Sequence, residues 1–111
     1  MAFDPTGFSI SISDRDGRAV VVLRGELDLA TAPDLEAALN ERLDTGQDVA
    51  VDLRELDFMD STGLRVLVSA HARVQDTDQS FVIVRPLPGA PIERILAVAG
   101  VASVLDVVDD V

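Results

Sequence analysis

The sequence predicts an α/β fold: a mixed, mostly parallel sheet with one antiparallel edge hairpin, packed with helices. Three observations predict it. Strand-like and helix-like stretches follow one another in the order β-β-α-β-α-β-α-β, which implies right-handed crossovers and parallel strands. The pair Asp16-Gly17 separates the first two strand-like stretches and signals a tight hairpin. The chain has 111 residues, 48% hydrophobic and 26% charged, which is one ordinary globular domain's worth.

Each element has a local reason. Phe8-Ser9-Ile10-Ser11-Ile12-Ser13 alternates apolar and polar residues, the pattern of a half-buried strand. Across the Asp-Gly turn, Ala19-Val20-Val21-Val22-Leu23 is a continuous apolar run, as expected of a strand covered on both faces. Gly25-Glu26-Leu27-Asp28 ends it as a loop. Thr31 is placed to N-cap a helix, with Asp34 in the capping-box position and Pro33 in the first turn. Leu35, Ala38, Leu39 and Leu43 then recur at helical spacing, and Gly46 closes the element. Val49, Val51 and Leu53 alternate with Ala50 and Asp52 in a third strand. Phe58 to Gly63 reads as a junction, and a second helix follows from about Thr62 to Gln75. Phe81-Val82-Ile83-Val84 is a fourth strand. Pro91 opens a short third helix with Ile92, Ile95, Leu96 and Ala99 on its apolar side. Val104 to Val108 is the last strand, and Asp109-Asp110-Val111 is expected to fray.

Composition narrows the chemistry. There is no Cys, hence no disulfide, no thiolate nucleophile and no Cys-ligated metal. All nine basic residues are Arg, so Schiff-base chemistry and the P-loop lysine are absent. Twenty acidic residues give a net charge of -11, which argues against nucleic acid and anionic membranes as partners. A basic protein partner fits that charge better, though acidity also serves solubility. The first residues carry no basic and apolar targeting pattern, and no apolar run approaches the roughly 20 residues that span a bilayer. A cytoplasmic protein is the expectation.

Function in such a sheet belongs at the carboxyl ends of strands. Two loops stand out there: Gly25 to Asp28, and Phe58 to Leu64. If their strands are neighbours, the loops lie side by side. Ser61 has two readings. It is an N-cap, accepting a hydrogen bond from the helix's first turn, or an exposed hydroxyl backed by unpaired N–H groups that would hold a phosphate. Gly63 either leaves room for a partner backbone or makes a tight turn. On the second helix Val66, Leu67, Ala70 and Val74 form a core stripe, while Leu64, Val68 and His71 form a neighbouring one. That second stripe is either an exposed apolar patch or buried in a three-layer fold.

An enzyme is not expected. His71 lies ten residues beyond Ser61 on the same helix, roughly 15 Å away, too far for a nucleophile–base pair. Carboxylate pairs such as Glu26/Asp28 and Asp57/Asp60 carry little weight in a chain with so many Asp. No ligand spacing specifies a metal or a cofactor.

Gly25-Glu26-Leu27-Asp28 with Thr31-Ala32-Pro33, and Leu56 to Leu64 with its Asp60-Ser61-Thr62-Gly63-Leu64 core, resemble the STAS domain of bacterial anti-anti-sigma factors (anti-sigma factor antagonists). The likeness continues through Ala99-Gly100-Val101 and covers about residues 8–108, so the chain reads as a single STAS-like domain, 1–111. The resemblance implies that Ser61 is a phosphorylation site. It implies a partner that is an anti-sigma factor serine kinase with an ATP-binding fold, and a PP2C-type phosphatase that resets the cycle. The partner-binding residues would then be Glu26, Asp28, Asp60, Ser61, Thr62, Gly63, Leu64 and Val68. Two departures from the family pattern are the turn Asp76 to Gln79, without the usual glycine, and the proline-rich loop from Arg85 to Pro91. Other STAS domains serve lipid-transport or stress-sensing assemblies. A nucleotide-binding module is a rival from another class, disfavoured by the scarcity of basic side chains near Ser61, where Arg24 and Arg65 are nearest in sequence.

Overall fold

The computed structural model describes residues 7–98, 100 and 103–110. Its elements are β1 (Ser9–Arg15), β2 (Arg18–Leu27), α1 (Ala32–Asp44), β3 (Asp48–Asp52), β4 (Leu56–Met59), α2 (Ser61–Val74), β5 (Phe81–Val84), α3 (Pro91–Val98) and β6 (Asp106–Val108). The sheet runs β1-β2-β3-β5-β6, with β1 antiparallel to β2 and the other pairs parallel. The hairpin turns on Asp16 and Gly17, both at positive φ (54° and 84°), the backbone that a two-residue turn between twisted strands requires.

The expected strands and helices are present, with one addition. Leu56–Met59, of which Phe58 and Met59 read in the sequence as the start of a junction, forms the short strand β4. It pairs in parallel with the far end of β2, Gly25 to Leu27, beyond the stretch from Arg18 to Val22 that pairs with β3. The run Gly25-Glu26-Leu27, expected as loop, is therefore the end of a ten-residue strand. The register slips between Gly25 and Glu26, so the buried positions of β4 are Leu56 and Met59 and the period-2 signal is lost.

The helices cover one face. Ala19, Val21 and Leu23 of β2, Val49 and Val51 of β3, and Phe81 and Ile83 of β5 join the core, together with Leu35, Leu39 and Leu43 of α1 and Val66, Leu67, Ala70 and Val74 of α2. Ile10 and Ile12 of β1 lean on the same cluster. From α3, Ile92 and Leu96 join it; Ala99 lies outside the described residues. The molecule is only 23 Å through its thin dimension, which leaves two layers rather than three.

Other side chains of β2 and β3 lie outside that cluster and make polar pairs. Arg24 reaches Ser11 Oγ and forms a two-pronged ion pair with Glu55. Asp52, 5% exposed, is gripped by Arg54, whose backbone N–H, Nε and Nη2 all donate to its carboxylate. Burial pushes the Asp52 carboxyl up, but the hydrogen bonds and charge of Arg54, with the charge of Arg15, outweigh it and leave it below the usual carboxylate range.

Beyond β6, the largely exposed Asp109 pairs with Arg85 at 2.6 Å and Asp110 with Arg54 at 3.2 Å. Val111 lies outside the described residues. After α2, Asp76 takes the left-handed backbone (φ 63°) that a glycine would take, which accounts for the missing glycine.

Candidate partner-binding site

The two loops singled out in the sequence lie side by side because β2 and β4 pair. Leu27 is in register with Met59, and the Asp60 N–H donates to the Leu27 carbonyl at 3.0 Å. One loop is the turn Asp28 to Thr31; the other is the entry to α2.

Ser61 is the first residue of α2 and is exposed. It is not the cap. Asp60 holds the N-cap position with extended backbone, and its Oδ1 accepts from the N–H of Thr62 (2.9 Å) and of Gly63 (3.1 Å). A carboxylate at a helix N-terminus meets both the orphan donors and the positive end of the dipole. The Ser61 hydroxyl is thus left for solvent or a partner, and two of the first-turn N–H groups expected to be unpaired are already taken.

The first helix starts differently from expectation as well. Thr31 occupies the N-cap position, but its hydroxyl makes no cap bond, and neither does Asp34. Thr31, 2% exposed, donates instead to the Glu26 carbonyl (2.9 Å) and accepts from the Asp28 N–H (2.9 Å). It latches the end of β2 to the start of α1. Asp28 is not a free carboxylate: its Oδ1 accepts from the N–H of Ala30 (3.0 Å) and Thr31 (3.2 Å).

The remaining candidates divide by exposure. Glu26 is exposed and sits in register with Phe58. Thr62 and Asp60 are half-buried. Leu64 and Val68 are half-buried against the core, so the second stripe of α2 is neither an open patch nor fully covered. Gly63 corrects its expectation. It faces inward, and a Cβ there would lie 2.6 Å from Leu27 Cγ and 3.1 Å from Met59 Cγ. The glycine lets α2 press onto β2 and β4; it gives no room to a partner.

His71 is on α2 with Ser61, half-buried, its Nε2 within 3.0 Å of Gln75 Nε2. Leu29 was not a sequence candidate, yet it stands 74% exposed between Asp28 and Ala30. The available signal was a large apolar residue inside a turn of otherwise small and polar ones. Among the described residues no group of His, Cys, Asp or Glu is placed to hold a metal, and no helix is long and apolar enough to cross a membrane. An apolar cavity of about 330 Å³ lies between α3 and the ends of β5 and β6, lined by Ile83, Pro86, Leu96 and Val107 among others; none of its walls comes from the start of α2.

Comparison with known proteins places this geometry. The family described as "Mlab, STAS domain" matches residues 10–108. The anti-sigma-F factor antagonist RsfB of Mycobacterium tuberculosis is 30% identical over 82 residues, which is 73% of this chain and 67% of that protein. The anti-sigma-B factor antagonist of Listeria monocytogenes is 35% identical over 77 residues, 68% of each. An anti-sigma factor antagonist from Mycobacterium paratuberculosis, known from its crystal structure, superposes with a TM-score of 0.84 at 25% identity, over 97% of this chain and 91% of that one. The chain belongs to the STAS-domain family of anti-sigma factor antagonists.

Proposed function

We propose that this protein is a regulatory anti-sigma factor antagonist of the cytoplasm, folded as one STAS domain and switched at Ser61. Unphosphorylated, it binds an anti-sigma factor and so releases the sigma factor held by it. That anti-sigma factor is a serine kinase with an ATP-binding fold. It transfers the γ-phosphoryl group of ATP to Ser61 Oγ, with loss of the hydroxyl proton and release of ADP, and a PP2C-type phosphatase hydrolyses the ester. Glu26, Asp28, Asp60, Thr62, Leu64 and Val68 frame the contact.

The observation that carries this reading is the exposed Ser61 hydroxyl beside the β2–α1 turn, with the capping work done by Asp60 instead. A phosphate adds about -1.5 to -2 charges at neutral pH. Here it would arrive next to the Asp60 carboxylate, with the N–H groups of Thr62 and Gly63 already engaged. Within the chain, the positive end of the α2 dipole and Arg65, one turn along the helix, offset it only in part. A partner surface that is apolar over Ser61 would have to desolvate it, and each 1.4 kcal/mol lost weakens binding about tenfold. Two or three such steps exchange partners.

The test is displacement. Added to a complex of sigma factor and cognate anti-sigma factor, the wild-type protein and Ser61→Ala should free the sigma factor, and Ser61→Asp should not. Equal displacement by Ser61→Ala and Ser61→Asp would remove charge at Ser61 as the switch, and no displacement by any form would remove the antagonist function.

A further inference from the structure

We infer that Leu29 is the apolar anchor of the partner contact, seating in an apolar socket rimmed by Arg or Lys on the anti-sigma factor; this rests on the function proposed above. Leu29 is 74% exposed, more than Leu87 (56%), Val104 (47%) or Phe58 (39%), the other exposed large apolar side chains among the described residues. Covering this side chain on binding would remove apolar surface from water, which favours association.

The turn that presents it is rigid. The Thr31 and Ala32 N–H groups donate to the Asp28 carbonyl (3.1 and 2.8 Å), while the Asp28 carboxylate and the buried Thr31 hydroxyl tie the same four residues from inside. The side chain is therefore displayed with little further loss of backbone entropy on binding, which is how a preorganised contact gains affinity.

Position links it to the switch. The Asp60 N–H donates to the Leu27 carbonyl, which joins the residue before α2 to the residue before the Asp28–Thr31 turn, so Leu29 and Ser61 belong to neighbouring loops. Charge selects the occupant. Glu26 at the end of β2, Asp28 in the turn and Asp60 before α2 are all acidic, in a chain of net charge -11. A second copy would bring the same acidic face and repel, whereas a cationic rim around an apolar centre is complementary.

The experiment titrates wild type, Leu29→Ala and Leu29→Asp into the cognate anti-sigma factor at low and high salt, with thermal melts of each variant. Leu29→Ala should bind about ten- to thirty-fold more weakly, Leu29→Asp more weakly still, and both should melt with the wild type. Wild-type affinity should fall as salt rises. If the wild type binds and Leu29→Ala matches it, the anchor is wrong while the proposed function stands. If affinity does not fall with salt, or if the wild type self-associates and Leu29→Ala abolishes it, the cationic partner is wrong. If the wild type binds no anti-sigma factor, the functional reading fails and takes this inference with it.

Discussion

Replacing Asp60 by Ala removes the cap of α2 without touching the Ser61 hydroxyl. In the structure Asp60 Oδ1 satisfies two of the orphan N–H groups of that helix, those of Thr62 and Gly63, at 2.9 and 3.1 Å. Losing such a cap costs about 1–2 kcal/mol, and the missing negative charge at the helix N-terminus works in the same direction. For a domain of this size each kcal/mol lowers the melting temperature by about 4 °C, so Asp60→Ala should melt roughly 4–8 °C below the wild type. Asp60→Asn keeps an acceptor oxygen and should recover most of that loss. Ser61→Ala deletes an exposed hydroxyl and should stay within about 0.5 kcal/mol of the wild type. Thermal and urea unfolding followed by circular dichroism reads all three. If Ser61→Ala lost as much as Asp60→Ala, or if Asp60→Ala melted with the wild type, the assignment of the cap to Asp60, and of a functionally free hydroxyl to Ser61, would be wrong.

Three further outcomes follow from the packing. Gly63→Ala places a Cβ 2.6 Å from Leu27 Cγ and should cost about 1–3 kcal/mol in urea unfolding; a neutral result would mean that α2 does not press on β2. Asp28→Ala should be destabilised through its turn, by about 1–2 kcal/mol, with Asp28→Asn milder because it can keep the Oδ1 bonds to Ala30 and Thr31; melting both variants checks this. Asp52 has a lowered folded pKa, so its contribution is fully present above its unfolded pKa of about 3.9 and is lost as pH falls through the lower folded value. Urea midpoints across pH should show the wild-type advantage over Asp52→Asn constant from neutral to about pH 5 and shrinking below about pH 4; a pH-independent difference would contradict it.

Much of the fold was legible because its signals are local. The alternation of Ile10 and Ile12, the Asp16-Gly17 turn and the stripe from Val66 to Val74 each need only neighbouring residues to be read. β4 was hidden for a physical reason. Its four residues bury Leu56 and Met59 across a register slip, so the period of 2 is lost and the i, i+3 spacing that is left does not mark a strand. The extension of β2 through Leu27 was hidden with it, since Gly25-Glu26 reads as a turn until a partner strand is known to lie beside it. The apolar run through Val20 and Val22 reads as a strand covered on both faces, whereas the helical core takes only Ala19, Val21 and Leu23 of it, a distinction that no periodicity carries. At the site, the position of Ser61 was readable from the Asp-Ser-Thr-Gly run. The division of labour between Asp60 and Ser61 was not, because either side chain can cap a helix and only backbone geometry decides. Thr31 and Leu29 depend on the three-dimensional closure of one turn, where the hydroxyl turns inward to the Glu26 carbonyl and the leucine is left outside.

The claim that the protein is a partner switch centred on Ser61 is tested most directly by joining two readouts in one sample. The protein is incubated with its cognate anti-sigma factor and ATP, the phosphorylated residue is located by mass spectrometry, and the purified product is titrated back into the same anti-sigma factor. The account predicts one phosphate, on Ser61, and affinity reduced at least a hundredfold relative to the unmodified protein, about two steps of 1.4 kcal/mol. Phosphate found only on Thr31, Ser69 or Ser80, or a Ser61 phosphoprotein that binds as tightly as the unmodified one, would contradict it.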